Sequence, residues 1–111
     1  DNGKITVISV LYNYGDENQA LKQIWDKMPQ AANTETELSQ AISLDDFYPE
    51  DKDYYNFEGS LTTPPCTEGV NWIVFKNQET VSKEQVEKFT QTLGFENNRP
   101  IQDTNGRQIK E

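Results

Sequence analysis

Residues 59–72, with the sequence GSLTTPPCTEGVNW, place two hydroxyl groups and one thiol around a Pro-Pro pair. Thr62 and Thr63 precede the prolines, and Cys66, the only cysteine of the chain, follows them. Proline has a fixed φ and no backbone N–H, so the pair stiffens the turn that contains it. Hydroxyl groups on a stiff turn can direct hydrogen bonds at a bound molecule. Thr and Pro can also be ordinary turn formers, and the residues alone favour that interpretation.

The residue types that are missing limit the chemistry further. The chain of 111 residues has no histidine, which removes the commonest general base and the commonest zinc ligand. A single cysteine can form neither a disulfide within the chain nor a thiolate metal site. We therefore expect the chain alone to bind no metal and to have little means of catalysis.

Charge and hydropathy exclude several classes of partner. A formal net charge of -9 is unfavourable for binding nucleic acid, which requires a basic surface, and for binding anionic lipid. The longest apolar stretch, near ITVISVLY, is far shorter than the roughly 20 residues of a membrane-spanning helix. No signal peptide is visible, and the length is that of one small domain. We expect no nucleic-acid partner and no membrane partner.

The chain begins with the pattern of a strand followed by a helix. Residues 5–15, ITVISVLYNYG, are rich in β-branched and aromatic residues and nearly continuous in apolar character. This pattern predicts a strand that is covered on both faces and ended by Gly15. Asp16 and Gln19 have the spacing of a capping box for a helix that ends near Pro29. The apolar stripe of this helix would consist of Ala20, Leu21, Ile24, Trp25 and Met28.

The middle of the chain is predicted to hold a short helix, a loop and two strands. The helix would begin at Thr34, with Glu37 completing a capping box and with Leu38, Ala41 and Ile42 buried. Residues 45–53 are acidic and contain a proline, which is typical of a surface loop. YYNFEGS at 54–60 and GVNWIVF at 69–75 have strand composition on either side of the Thr-Thr-Pro-Pro turn.

The last predicted helix carries the clearest end signals. Ser82 and Gln85 form a capping box, and Val81 with Val86 can form a hydrophobic staple. Gly94 supplies the C-terminal stop, and Val86, Phe89 and Leu93 share one face. The tail at 97–111 has turn residues and little to fold around. The order of elements predicts an α+β fold built on a mostly antiparallel, twisted β-sheet with short surface helices.

Three segments together resemble the C-terminal part of the α-class carbonic anhydrases, above all their bacterial or secreted members. They are GSLTTPPCTEGVNWIVF, the VSKEQVEKF helix and NNRPIQDTNGRQIK. The similarity runs from NGKITVISVLYNYG to Arg107 and includes Tyr54, Gly59, Trp72, Arg99-Pro100 and Gly106-Arg107. It implies a portion of a large twisted, mostly antiparallel sheet, a cis bond at Pro64-Pro65, and reversible hydration of CO2 to bicarbonate at zinc. Residues 1–111 would be the C-terminal portion of a single domain.

The chain departs from this family in its metal ligands. Three histidines hold zinc in the family, and all of them lie N-terminal to the portion that this chain resembles. The resemblance therefore implies zinc in the full-length parent, no zinc ligand among these 111 residues, and no bound cofactor for the chain alone. The buried glutamate that orients the family's threonine is also absent.

The resemblance implies a specific role for Thr62 on this turn. This position matches the family's gatekeeper threonine, whose hydroxyl donates a hydrogen bond to the missing glutamate. The hydroxyl must then accept a hydrogen bond from the zinc-bound hydroxide. This leaves a lone pair of the hydroxide oxygen directed at the carbon of CO2. The Thr62 backbone N–H would face an oxygen of the substrate, and the hydroxyl of Thr63 would contact bicarbonate.

The resemblance also implies a nonpolar wall and an oxidising environment. The residues that match the family's hydrophobic CO2 pocket are Leu61, Val70, Trp72 and Val7. Cys66 matches a cysteine that, in bacterial and secreted relatives, pairs with a cysteine near the N-terminus of the full enzyme. That partner is absent here, and the pairing implies a periplasmic or secreted parent.

Three functions remain open on the sequence. The chain could be the C-terminal segment of a zinc carbonic anhydrase, inactive alone, or a non-catalytic carbonic-anhydrase-like binding module without its metal site. It could also be an interaction protein that completes its sheet by self-association. Retention of Leu61, Thr62 and Thr63 favours the enzyme segment, because a binding module without a metal site has no need for a hydroxide-orienting threonine. Because the strands at 5–14 and 70–75 are apolar on both faces, we expect self-association or pairing with the missing N-terminal part.

Overall fold

The structure, a computed structural model, describes residues 3–31 and 33–111, which form two compact units. One contains residues 3–11, 49–78 and 98–111, and the other contains residues 12–31, 33–48 and 79–97. The predicted α+β class is confirmed, with mixed strand pairing and two short α-helices in the described residues. The elements in chain order are β1 (Thr6–Ser9), β2 (Tyr12–Tyr14), α1 (Gln19–Trp25), a 3-10 turn (Leu44–Phe47), β3 (Tyr54–Ser60), β4 (Glu68–Phe75), β5 (Glu79–Val81) and α2 (Lys83–Leu93).

The first unit is built around β4, the central strand of a sheet with the order β1-β4-β3. β4 runs antiparallel to β3 and parallel to β1. The register aligns Val7, Trp72 and Phe57 in one row across the three strands, and the Trp72 and Phe57 rings stack with centroids 6.3 Å apart. The strands predicted at 54–60 and 69–75 are confirmed, although β4 begins one residue earlier.

The strand predicted over residues 5–15 is wrong in two respects. It is divided into β1 and β2, which belong to different sheets. It is also not covered on both faces, because Ile5, Ile8 and Leu11 are 44%, 49% and 48% exposed. Continuous apolar character shows that a segment suits a sheet, but it does not mark the residue at which a chain leaves one sheet for another.

The first helix begins two residues later than predicted. Its N-cap is Asn18, whose Oδ1 accepts a hydrogen bond from Leu21 N at 3.0 Å, so the prediction of Asp16 as the cap is wrong. Asn18 also donates from Nδ2 to Thr80 O at 3.1 Å. This tertiary contact explains why the cap lies at Asn18, and the helix ends at Trp25, before Pro29.

The helix predicted from Thr34 is absent. Residues 33–43 contain no helix, and the nearest regular element is the 3-10 turn at Leu44–Phe47, which overlaps the predicted loop. Leu38 and Ala41, which were expected to be buried, are exposed. A short helix without a packed apolar face is marginal, so the capping signal at Thr34 was insufficient.

The second unit centres on the start of α2, where the predicted capping box is confirmed. Ser82 Oγ accepts from Gln85 N at 3.2 Å, and Gln85 Oε1 accepts from Ser82 N at 3.1 Å. The same Gln85 amide accepts from Asn18 N and donates to Asn18 O, both at 2.9 Å. Gly94 ends the helix with φ 84, as predicted. Gln85 therefore connects the starts of α1 and α2.

The pairing of β2 with β5 completes the second unit. The two strands are parallel, and Tyr12 lies opposite Glu79. In the described residues the strand pairing is therefore mixed and not mostly antiparallel as predicted, because β1–β4 and β2–β5 are parallel and β3–β4 is antiparallel. Burial, followed by the neighbouring Glu79 carboxylate, raises the pKa of Tyr12 above its ordinary value because both disfavour the phenolate. None of the helices in the described residues is long and apolar enough to cross a membrane.

We predict that Gln85→Ala destabilises the chain by about 2 to 3 kcal/mol, because three backbone groups lose their hydrogen-bond partner in a buried position. Gln91→Ala, at an exposed position of the same helix, is the matched control and should change stability by less than about 0.5 kcal/mol. Urea unfolding at one fixed protein concentration measures both. Equal stability of the two variants would contradict the structural role of Gln85.

Candidate functional site

The Thr-Thr-Pro-Pro turn joins β3 to β4 and is closed by backbone hydrogen bonds. Leu61 N donates to Thr67 O at 2.9 Å, and Cys66 N donates to Thr63 O at 2.8 Å. The Pro64-Pro65 peptide bond is cis, as the resemblance implied. A bulge follows at Gly69, whose φ of 81 suits glycine better than other residues. These contacts tie the position of the turn to the β3–β4 pairing.

Thr62 and Thr63 are exposed on this turn. Within residues 3–31 and 33–111, neither hydroxyl makes a hydrogen bond to another protein group. The carbonyl of Thr63 is used by the turn itself, whereas Thr62 lies in the wall of an adjoining groove. The hydroxyl of Thr62 is therefore accessible to a molecule bound in that groove.

The groove is open and has a volume of about 680 Å³. Three of the residues selected from the sequence, Thr62, Cys66 and Trp72, line it together. Its wall also contains residues that the sequence did not assign to a site, among them Phe57, Glu68, Arg99, Asp103 and Arg107. The lining combines an aromatic surface on β3 and β4 with charged groups from the C-terminal segment.

A hydrogen bond from the indole nitrogen and the close approach of a glycine fix the position of Trp72. Its Nε1 donates to Ser60 O at 3.0 Å. A Cβ placed on Gly59 would lie 3.1 Å from Trp72 Cδ1, so glycine at this position allows the indole ring to lie close to the β3 backbone. The orientation of the largest apolar group in the groove thus depends on the register that sets Gly59 beside Trp72.

The remaining predicted wall residues lie close to the groove without lining it. Val7 pairs with Trp72 across β1 and β4 and is half-buried, as is Leu61. Val70 is 1% exposed, so its side chain packs beneath the surface and contributes almost no accessible area. The structure places Val70 and Trp72 on the same strand at the spacing that gives them a common side.

Arg107 attaches the C-terminal segment to the sheet, a role that the sequence did not reveal. Its Nη1 donates to Glu58 O at 2.7 Å, its Nε to Thr104 O at 2.8 Å, and its Nη2 to Asp103 O at 2.9 Å. Lys110 then forms a bridge with Asn56 through two backbone hydrogen bonds. The prediction that the tail has little to fold around is therefore wrong, because its partners are main-chain carbonyls, which carry no signal in a sequence.

Cys66 is half-buried in the groove wall and is a free thiol. Its φ of 57 lies in the left-handed region, which is uncommon for a residue other than glycine. Arg99 Nη1 lies 3.8 Å from its Sγ atom. The side chain therefore faces the same space as Thr62 and Trp72.

The residues present do not fit a zinc site. The chain has no histidine and one cysteine, and the described residues contain no group of three or more His, Cys, Asp or Glu side chains that could hold a metal ion. No set of metal ligands can therefore be assigned among residues 3–31 and 33–111.

Comparison with known proteins identifies the family. The sequence profile described as eukaryotic-type carbonic anhydrase matches residues 1–111. The chain belongs to the carbonic anhydrase family. The resemblance carried by the Thr-Thr-Pro-Pro string is thus confirmed over the full length of the chain.

Individual carbonic anhydrases match across the chain but are longer than it. The carbonic anhydrase of Neisseria gonorrhoeae is 44% identical over 111 residues, which are 100% of this chain and 44% of that protein. The solved α-carbonic anhydrase of Thermovibrio ammonificans, in complex with sulfanilamide, is 46% identical with a TM-score of 0.94, covering 99% of this chain and 49% of that one. The α-carbonic anhydrase of Photobacterium profundum is 40% identical with a TM-score of 0.91, and the match covers 100% of this chain and 51% of that one. The chain therefore spans about half of these relatives, in their C-terminal half.

We predict that Arg107→Lys releases the C-terminal segment, because an ammonium group cannot replace three guanidinium hydrogen bonds that point in fixed directions. The expected cost is about 1 to 3 kcal/mol, with faster amide exchange at Asn56 and Lys110. Arg99→Lys, in the same groove wall, is the matched control and should leave both amides protected. Unchanged exchange in Arg107→Lys would show that the segment is held by other contacts.

Proposed function

We propose that this chain is the C-terminal segment of a zinc carbonic anhydrase, which converts CO2 and water reversibly into bicarbonate and a proton. It supplies the threonine that orients hydroxide and part of the nonpolar wall beside the substrate, and it supplies no zinc ligand. The observation that carries the proposal is Thr62, retained on a closed turn at the rim of the groove in a chain that matches the family throughout.

The role of Thr62 follows from the direction that the reaction requires. Hydroxide adds to the carbon of CO2, so one oxygen lone pair must point at that carbon while the O–H bond points elsewhere. The accessible hydroxyl of Thr62 accepts the hydroxide O–H and thereby fixes its orientation. The backbone N–H of Thr62 faces a substrate oxygen, and Thr63 contacts bicarbonate. The closed turn supports this role because it limits movement of both threonines.

The nonpolar wall serves a substrate that carries no charge. Trp72 presents apolar surface in the groove, and Val7, Val70 and Leu61 support it from neighbouring positions. CO2 gains little from polar contacts, so an apolar surface beside the hydroxyl of Thr62 holds the substrate without competing for the nucleophile. The metal and its ligands belong to the part of the enzyme outside these residues.

The proposal includes a protein partner and a compartment. The chain either pairs with the N-terminal part of the enzyme or associates with a second copy of itself. Cys66 forms a disulfide with a cysteine of the N-terminal part, in a periplasmic or secreted enzyme. Its place in the groove wall supports this pairing, because a partner segment can reach the thiol there.

The role of Thr62 can be tested in a chimera that joins these 111 residues to the N-terminal part of the gonococcal relative. Thr62→Ala should lower kcat/KM for CO2 hydration by roughly 10-fold to 100-fold or more and leave zinc content unchanged, because the change removes an orienting group and no ligand. Thr67→Ala, at an exposed position of the same turn, is the control. Full activity of the Thr62→Ala chimera would overturn the proposed role.

A further inference from the structure

The C-terminal segment contains a tight turn at residues 104–107 whose two central residues are Asn105 and Gly106. Arg107 N donates to Thr104 O at 2.9 Å, which closes the turn. Asn105 and Gly106 have φ angles of 49 and 81, the left-handed values of a type I′ turn. This turn type favours Asn-Gly, because both of its central positions need a positive φ. The backbone conformation therefore accounts for the residue types at these two positions.

Asn-Gly is also the dipeptide in which an asparagine side chain is least shielded from the backbone that follows it. The backbone nitrogen of Gly106 can attack Cγ of Asn105 and close a five-membered ring, which makes asparagine a thermolabile residue. Both residues are exposed, and a Cβ placed on Gly106 would meet no atom within 4 Å. In residues 3–31 and 33–111, neither the Asn105 amide nor the Gly106 N–H hydrogen-bonds to another protein group. The reacting groups are therefore unobstructed.

The reaction needs only the chain itself and water. The bond from Gly106 N to Asn105 Cγ forms, the bond from Cγ to the side-chain nitrogen breaks, and ammonia leaves with the proton of the Gly106 N–H. Water then opens the ring. Cleavage of the bond to Cγ gives aspartate, whereas cleavage of the bond to the backbone carbonyl carbon gives isoaspartate, whose main chain runs through Cβ and Cγ. Both products add a negative charge, and isoaspartate also lengthens the main chain by one carbon.

Arg107 holds the turn in a conformation in which this ring cannot form. In a type I′ turn the ψ of the first central residue directs the next nitrogen away from its side chain, so the turn must open before Gly106 N can attack. The guanidinium group resists opening, because it donates to the carbonyls of residues 103–104 at 2.9 and 2.8 Å and to Glu58 O at 2.7 Å. The rate of the reaction therefore follows the fraction of time in which these bonds are broken.

We propose that Asn105 is a modification site that Arg107 protects, and that its conversion to isoaspartate releases the C-terminal segment from β3. The added main-chain carbon changes the spacing between the Thr104 carbonyl and Arg107, so the bonds of Arg107 to Thr104 and to Glu58 cannot form together. Aspartate retains the ordinary main chain and suits the same turn, so the isomer and not the charge causes the release. The release is irreversible, because the side-chain nitrogen is lost as ammonia.

This modification goes beyond the proposed function and does not depend on it. The turn and the partners of Arg107 are built from Glu58 and residues 103–107, none of which contacts the substrate in the proposed function. The test needs neither zinc nor CO2, so the two proposals can fail separately.

Timed incubation of the 111-residue chain at mildly alkaline pH, followed by peptide mapping with mass spectrometry, measures the rate. Arg107→Lys should accelerate deamidation of Asn105 by about tenfold or more, a ratio that corresponds to turn opening that is about 1.4 kcal/mol easier. Arg99→Lys is the matched control and should react like the unmutated chain, and protected β4 amides verify that both variants are folded. Peptide mapping separates this site from the other Asn-Gly pair, at residues 2–3. No product at Asn105 in Arg107→Lys, or a rate equal to that of the unmutated chain, would overturn the proposal.

Amide exchange of the modified chain tests the release. The form with isoaspartate at position 105 is isolated by chromatography and identified with an isoaspartyl methyltransferase and a labelled methyl donor. Its amides at Asn56 and Lys110 should exchange about tenfold faster or more than in the fresh chain, because the bridge between them opens. Asn105→Asp, which adds the same charge without the extra carbon, should stay as protected as the unmutated chain. Full protection of the isoaspartyl form, or equal loss of protection in Asn105→Asp, would contradict release by the isomer.

Discussion

The antiparallel pairing of β3 with β4 is the interaction on which the candidate site depends. The Thr-Thr-Pro-Pro turn connects these two strands, so the position of Thr62 follows from their register. The same register sets Gly59 beside the indole of Trp72 and Phe57 against its ring. A slip by one residue would move Trp72 to the other face of the sheet and separate the hydroxyl from the apolar wall.

The two outer strands of this sheet, β3 and β1, have different neighbours in the described residues. Arg107 and Lys110 cover one side of β3 with bonds to main-chain atoms. β1, which carries Val7 into the same row as Trp72, has no such cover in the described residues. The backbone of the chain matches two relatives of about twice its length with TM-scores of 0.94 and 0.91.

The features predicted correctly from the sequence are those with local chemical signals. The Ser82–Gln85 capping box, the stop at Gly94 and the two strands around the Pro-Pro turn each depend on neighbouring residues. The predictions failed where a tertiary contact decided the outcome. Asn18 became the cap of α1 because Gln85 and Thr80 bind it, and the segment at 5–15 divided between two sheets. Thr62 and Trp72, selected through the resemblance, line one groove, whereas the role of Arg107 depends on carbonyl groups that no side-chain pattern reveals.

We propose that these residues orient and enclose the substrate of a zinc enzyme without holding the metal. The most direct measurement compares zinc content and stopped-flow CO2 hydration for the 111-residue chain and for the chimera with the gonococcal N-terminal part. We expect no stoichiometric zinc and no hydration above background for the chain alone, and one zinc with measurable hydration for the chimera. One tightly held zinc with activity in the chain alone would contradict it, and so would a folded, zinc-loaded chimera that does not hydrate CO2.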